Sequence, residues 1–189
     1  MEHRPAVLLD RDGTLLEEAG YLERLERLVF FPNSVDAVRL LNRSGYVVVI
    51  VTNQAGIARG IFKEAFVADA HRHIAERLAL GGARIDAFYY CPHHPEAVIE
   101  ALRQECDCRK PRPGMFTRAA EDLGLDLARS FVVGDRWRDI EMGIAAGTKA
   151  VLVETGYGRT EASRRPAHIA EVPVVGTLIE ATSWILRNP

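Results

Sequence analysis

No apolar run in the sequence reaches the roughly 18 residues a bilayer-spanning helix needs. The opening MEHRPAVLLDRDG has neither the long apolar stretch nor the small-residue cleavage site of a secretory signal. These absences argue against a membrane partner and make the cytoplasm the expected compartment. Charge of one sign is also scarce: the formal net charge is -2, so there is no general basic field for nucleic acid, and an anionic ligand must be caught by local cations. There are only three cysteines, an odd number for a disulfide framework; in a reducing compartment, clustered thiols suit a metal better than each other. Internal repeats, low-complexity tracts and Pro/Ser linkers are missing as well. With 189 residues, 48% apolar and 26% charged, the expectation is a single globular domain spanning residues 1–189.

What is present alternates. Short apolar runs bounded by Gly, Pro, Asn or Asp occur at 6–9, 46–51, 85–90, 131–133 and 150–153. They are rich in β-branched residues and show little polar alternation, which suits strands covered on both faces. Between them, 34–44 places Val35, Val38, Leu40 and Leu41 on roughly one helical face, and 64–80, 113–123, 140–146 and 177–186 carry the same kind of pattern. Strands alternating with helices predict an α/β doubly wound sheet, mostly parallel, whose ligands lie beyond the carboxyl ends of its strands.

The polar residues at those ends are unusual. Asp10 and Asp12 follow the first run two positions apart, so both carboxylates should face one cleft. Two such charges repel unless a cation joins them, and magnesium, which takes oxygen ligands, is the natural one. The second run ends in Thr52-Asn53-Gln54-Ala55-Gly56, a hydroxyl followed by the amides of a tight turn, which can cradle phosphate or form an ordinary Asn/Gly turn. The fourth ends in Gly134-Asp135-Arg136, where Asp135 can complete a magnesium site with Asp10. Asp139, one helical turn later, orients neighbours or suits the helix N-terminus.

Together these segments identify the chain as similar to the haloacid dehalogenase superfamily of aspartyl-phosphate phosphatases. Within it, LLDRDGT, IVTNQAGIARG, CPHHP and CDCRKPRPGM, in that order, resemble the D-glycero-D-manno-heptose 1,7-bisphosphate 7-phosphatase family, over about residues 7–156. The resemblance implies a Rossmann-like, capless fold and a magnesium-dependent hydrolase of heptose biosynthesis, acting as a monomer on a small phosphorylated sugar. Asp10 is then the nucleophile, Asp12 the acid/base, and Thr52 and Lys110 the groups that hold the phosphoryl; Asp10, Asp135 and the Asp12 backbone carbonyl hold magnesium. Glu18, Ala19, Gly20, Tyr21, Asn53, Gln54, Ala55, Arg109 and Arg136 align with family substrate contacts. Arg136 and Trp137 depart from the usual pattern, which leaves the preferred anomer open.

Cys91, His93, Cys106 and Cys108 form two close pairs, the ligand set of a closed tetrahedral zinc site that staples a loop rather than doing chemistry. His94 is the spare. A sister family, the histidinol-phosphate phosphatases, has the same catalytic residues but usually a shorter stretch between such pairs; a zinc-stabilised binding module is the reading without catalysis. His71 and His73 lie two apart on the 64–80 helix and read as part of a solvated face.

Overall fold

The computed structural model describes residues 3–189. Its core is a six-stranded, all-parallel sheet in the order β3-β2-β1-β4-β5-β6. In chain order the elements are β1 (Ala6–Leu9), α1 (Ser34–Arg43), β2 (Val47–Asn53), α2 (Ala55–Ala58), α3 (Glu64–Leu80), β3 (Ala87–Cys91), α4 (Gly114–Leu123), β4 (Phe131–Gly134), α5 (Trp137–Ala145), β5 (Lys149–Val153), α6 (Gly158–Ala162), β6 (Val174–Val175) and α7 (Leu178–Arg187). The expected doubly wound parallel fold is what forms. Among the described residues, no helix is long and apolar enough to cross a membrane.

Alternation along each strand builds two cores. Val7, Leu9, Val48, Ile50 and Val133 pack with α1, α7 and the Ile74–Leu78 side of α3. Ala6, Leu8, Val49, Val51 and Val132 face the other way, onto α4 and α5. This is the two-sided burial that near-continuous apolar strands imply. On α1 the buried stripe is Ala37, Val38 and Leu41, while Leu40 is exposed rather than part of the expected face. The fifth helix begins at Trp137, three residues before the apolar pattern suggests, where Asp139 accepts the Arg136 backbone N–H at 3.1 Å and Glu161 accepts that of Trp137 at 2.9 Å.

The sheet order reverses at β1, which lies between β2 and β4 in register Leu9 with Ile50 and Leu9 with Val133. The carboxyl ends of these three strands therefore open into one crevice, where ligands of open α/β sheets bind. Beside them, Asn53 pairs with Cys91 on β3. The cysteine-rich segment thus starts one strand away from Thr52.

Candidate active site

The crevice is a cleft of about 350 Å³ whose lining includes Asp10, Asp12, Thr52 and Gln54 from the strand ends. Behind Asp10 lie buried charges. The Lys110 ammonium, 1% exposed, is 2.6 Å from Asp10 Oδ1 and 2.8 Å from Asp139 Oδ1, the second contact being an ion pair off the hydrogen-bond axis. Burial opposes its charge, yet the two carboxylates outweigh burial and hold its pKa above the ordinary value.

Asp135 is fully buried and only half satisfied. Its Oδ2 accepts the Tyr157 backbone N–H at 2.8 Å, while Oδ1 has no hydrogen-bond partner among the described residues. Burial first, then the charges of Asp10 and Asp139, push its carboxyl up to about 8. Ligand oxygens of Asp10, Asp135 and Asp139 all lie within 4.8 Å of one another. Asp139 has Lys110 in direct ion-pair contact; among the described residues Asp135 makes no ion pair and feels only the positive charge of Arg136, so this is where a metal cation fits. Two glycines keep the space for that carboxylate: a Cβ on Gly13 would lie 2.2 Å, and one on Gly156 2.3 Å, from Asp135 Oδ2.

The structure brings most of the expected substrate contacts to the cleft. Glu18, Gly20, Tyr21, Asn53, Gln54, Ala55, Arg109 and Arg136 line it, whereas Ala19 does not, its carbonyl instead accepting from Arg27. Two of these residues also have internal duties. Asn53 Oδ1 accepts the Lys110 backbone N–H at 3.2 Å, and Gln54 Nε2 donates to Thr52 Oγ1 at 2.9 Å and to Asp12 Oδ2 at 3.2 Å. The Glu18 carboxyl is raised by burial, which the Gly20 backbone N–H partly offsets.

Sequence reasoning, which leaves Arg59 after the Gly56 turn as either a surface residue or an anion contact and His94 as a spare, names few of the further residues gathered here. Arg59, His94 and Arg138 add positive or protonatable groups to the wall, and the Arg136 guanidinium lies 3.6 Å from the centroid of the Tyr157 ring. Spacing gives no warning of these, since each reaches the cleft from a loop or a helix start. Arg11 is another, and it sits almost wholly buried beside Asp12.

The cysteine-rich loop closes on itself at the edge of the site. Cys91, His93, Cys106 and Cys108 bring their ligand atoms within 4.8 Å of one another, with sulfur separations of 3.1 to 3.5 Å. Four bonds of ~2.3 Å arranged tetrahedrally spread their ligands by ~3.8 Å, so the cluster has the donor set and nearly the spacing of a four-coordinate thiophilic metal site. Burial, followed by contact with the neighbouring thiol of Cys108, pushes the Cys91 thiol up, as expected where thiols crowd together without a cation. The Arg109 guanidinium donates to the His93 carbonyl at 3.1 Å, so the loop anchors the first of the two cations that follow Cys108.

Comparison with known proteins agrees with this geometry. Residues 107–181 match the HAD-hydrolase-like family model. The chain is 46% identical to the D-glycero-β-D-manno-heptose-1,7-bisphosphate 7-phosphatase of Escherichia coli K12, over 97% of this chain and 89% of that protein. It is 41% identical to the protein of the same name from Salmonella typhi, over 97% and 90%. A solved D,D-heptose 1,7-bisphosphate phosphatase from B. bronchiseptica, complexed with magnesium and phosphate, superposes with a TM-score of 0.88 at 31% identity, covering 98% of this chain and 99% of that one. With such identity across nearly its whole length, the chain belongs to the D-glycero-β-D-manno-heptose-1,7-bisphosphate 7-phosphatase family of HAD-type phosphoric monoester hydrolases.

Proposed function

We propose that the protein, a single domain of residues 1–189 working as a cytoplasmic monomer, removes the C7 phosphate of D-glycero-D-manno-heptose 1,7-bisphosphate. The observation that carries the reading is the buried group Asp10–Lys110–Asp139 with a half-satisfied Asp135 at its side, opening through Asp10 into a cleft ringed by arginines. The E. coli and Salmonella relatives bear the name of this activity.

Asp10 acts as the nucleophile. As its free carboxylate oxygen bonds to phosphorus, the bond from phosphorus to the sugar oxygen breaks, and Asp12 delivers a proton to that departing oxygen. Asp12, now ionised, takes a proton from a water that attacks the aspartyl-phosphate, returning Asp10 and releasing inorganic phosphate. Thr52 and Lys110 hold the phosphoryl oxygens throughout; phosphoryl transfer depends mainly on such alignment and charge stabilisation. Asp10, Asp135 and the Asp12 backbone carbonyl would hold magnesium, which supplies positive charge for the phosphoryl oxygens when bound. The orphaned Asp135 Oδ1 and its raised pKa fit that cation.

Arg109 and Arg136, with Glu18, Gly20, Tyr21, Asn53, Gln54 and Ala55, form the sugar and distal-phosphate side of the site. A second phosphate brings about two further negative charges near neutral pH, which the guanidiniums at the mouth can meet. Ala19 contributes through its place in the loop 18–21. Cys91, His93, Cys106 and Cys108 would hold a structural zinc, all four donors coming from the protein.

Phosphate release measured over both anomers of the heptose bisphosphate, other sugar bisphosphates and histidinol phosphate, with and without magnesium, tests the reading. The heptose bisphosphate should be the best substrate and magnesium obligatory. Preference for histidinol phosphate, or turnover that survives both magnesium removal and Asp10→Asn, would overturn it.

A further inference from the structure

Arg11 separates the two motif carboxylates in sequence, and its side chain is only 2% exposed. Its Nε lies 3.1 Å from each oxygen of Asp12, and its Nη2 lies 2.8 Å from Oδ2. On the other side, Gln54 adds a donor to the same Oδ2 and ties it to Thr52. Asp12, whose side chain is 21% exposed, is thus the solvent-accessible inner member of a chain Arg11–Asp12–Gln54–Thr52, while Arg11 at its end is buried. The Arg11 backbone is fixed too, since its carbonyl accepts the N–H groups of Leu15 at 3.1 Å and Leu16 at 2.9 Å, both core residues.

Burying a guanidinium is costly, and a buried ion pair is weak grounds for stability when an apolar pair of the same volume packs as well. Fork geometry does something an apolar pair cannot. Two or more N–H donors in one plane fix both the position and the tilt of a carboxylate. Proton transfer needs such control, since donor and acceptor must meet within hydrogen-bond reach.

We propose that Arg11 is a positioning residue for the phosphatase reaction. With Gln54, it locks the Asp12 carboxyl group at the cleft wall so that its proton passes to the sugar oxygen as that oxygen's bond to phosphorus breaks. The proposal rests on the phosphatase reading and adds to it a reason for the arginine between the two aspartates. The proton that leaves Asp12 ends on the sugar hydroxyl, so the step balances without a further reactant.

Leaving-group dependence separates positioning from simple structural support. A sugar alkoxide needs the proton; p-nitrophenolate does not. In Arg11→Met, kcat for the heptose bisphosphate should fall about 100-fold or more with KM within about 2-fold, while kcat for p-nitrophenyl phosphate falls less than about 10-fold. Arg11→Lys, which keeps the charge and part of the hydrogen bonding, should recover part of the loss, and Asp12→Asn should show the same split more strongly. Equal losses on both substrates, or a change in KM alone, would overturn the proposal. If Arg11→Met does not fold, Gln54→Met carries the test with a smaller split, and an equal loss on both substrates there overturns it. Should the unaltered enzyme hydrolyse p-nitrophenyl phosphate but not the heptose bisphosphate, the substrate reading fails. Mannose 6-phosphate, also a primary-alkoxide ester, then replaces it in the same comparison.

Discussion

Acidifying the protein from about pH 8 to about pH 5 should destabilise it through one side chain, His71. Its ring lies on α3, 7% exposed, stacked on Phe88 with centroids 4.5 Å apart and edge-on to Tyr90 at 5.9 Å, and its Nε2 has no hydrogen-bond partner among the described residues. Burial first, then the positive charge of Arg11, lowers its pKa to about 3. The unfolded chain, with a histidine pKa of about 6.5, takes up the proton first. The native state therefore keeps its full stability above about pH 6.5 and loses it as pH falls toward about 3, by about 1.4 kcal/mol per pH unit. At about pH 5, roughly 1.5 units into that window, the loss is about 2 kcal/mol, or about 4–8 °C in Tm for a chain of this size. His71→Phe keeps a flat ring against Phe88 and has nothing to protonate. Thermal melts of both proteins at several pH values, referenced to the difference at about pH 8, isolate the titration from any change in packing. The two Tm curves should diverge by that amount on acidification. Parallel curves would refute the assignment of a buried, neutral His71 beside Arg11.

Three further outcomes follow from particular contacts. Gly156→Ala puts a Cβ 2.3 Å from Asp135 Oδ2 and 2.5 Å from the Gly13 Cα, at a φ of +54°; the magnesium concentration for half-maximal activity should rise about tenfold or more, and an unchanged magnesium titration would contradict the fit of the cation at Asp135. Cys106→Ser should lower the zinc content found by metal analysis and raise KM about tenfold or more, because the loop that carries Arg109 and Lys110 loses a ligand. Lys110→Met leaves Asp10 and Asp139 without their ammonium and should cost about 3–5 kcal/mol in denaturant unfolding; adding Asp139→Asn should restore part of the stability and none of the turnover.

The strands and most helices were legible because each carries its own periodicity. The 6–9 and 131–133 runs map onto β1 and β4 almost residue for residue, and the 64–80 pattern is α3 itself. β6 was not legible: two residues after Pro173 leave no pattern to detect. α2 and α6 are too short to show helical periodicity. His71 shows a signal that was present and outweighed. Its spacing from His73 suggests a solvated face, yet Val67, His71, Ile74 and Leu78 form one buried stripe at intervals of three and four. Its position in that stripe, and not the second histidine, decides its burial.

Site residues at strand ends were legible for a different reason. Parallel strands bring their carboxyl ends to one edge of the sheet, so Asp10, Thr52 and Asp135 meet wherever β1 lies between β2 and β4. Side chains that leave turns obey no such rule, which is why the Arg11 fork and the Arg136–Tyr157 stack become visible only in three dimensions. The cysteine-rich loop lies between these cases. Its ligand spacing was legible, but its role depends on contacts that the sequence does not state: Gln54 N–H donates to the Cys91 carbonyl at 2.8 Å, Asn53 holds the Lys110 amide, and Arg109 grips the His93 carbonyl. Each contact joins the loop to the end of β2 or to a cation that lines the cleft. A metal closing the four ligands would stiffen this frame rather than enter the cleft. Zinc loss should therefore be felt first in substrate affinity, while the charges around Asp10 set the rate of the chemical step.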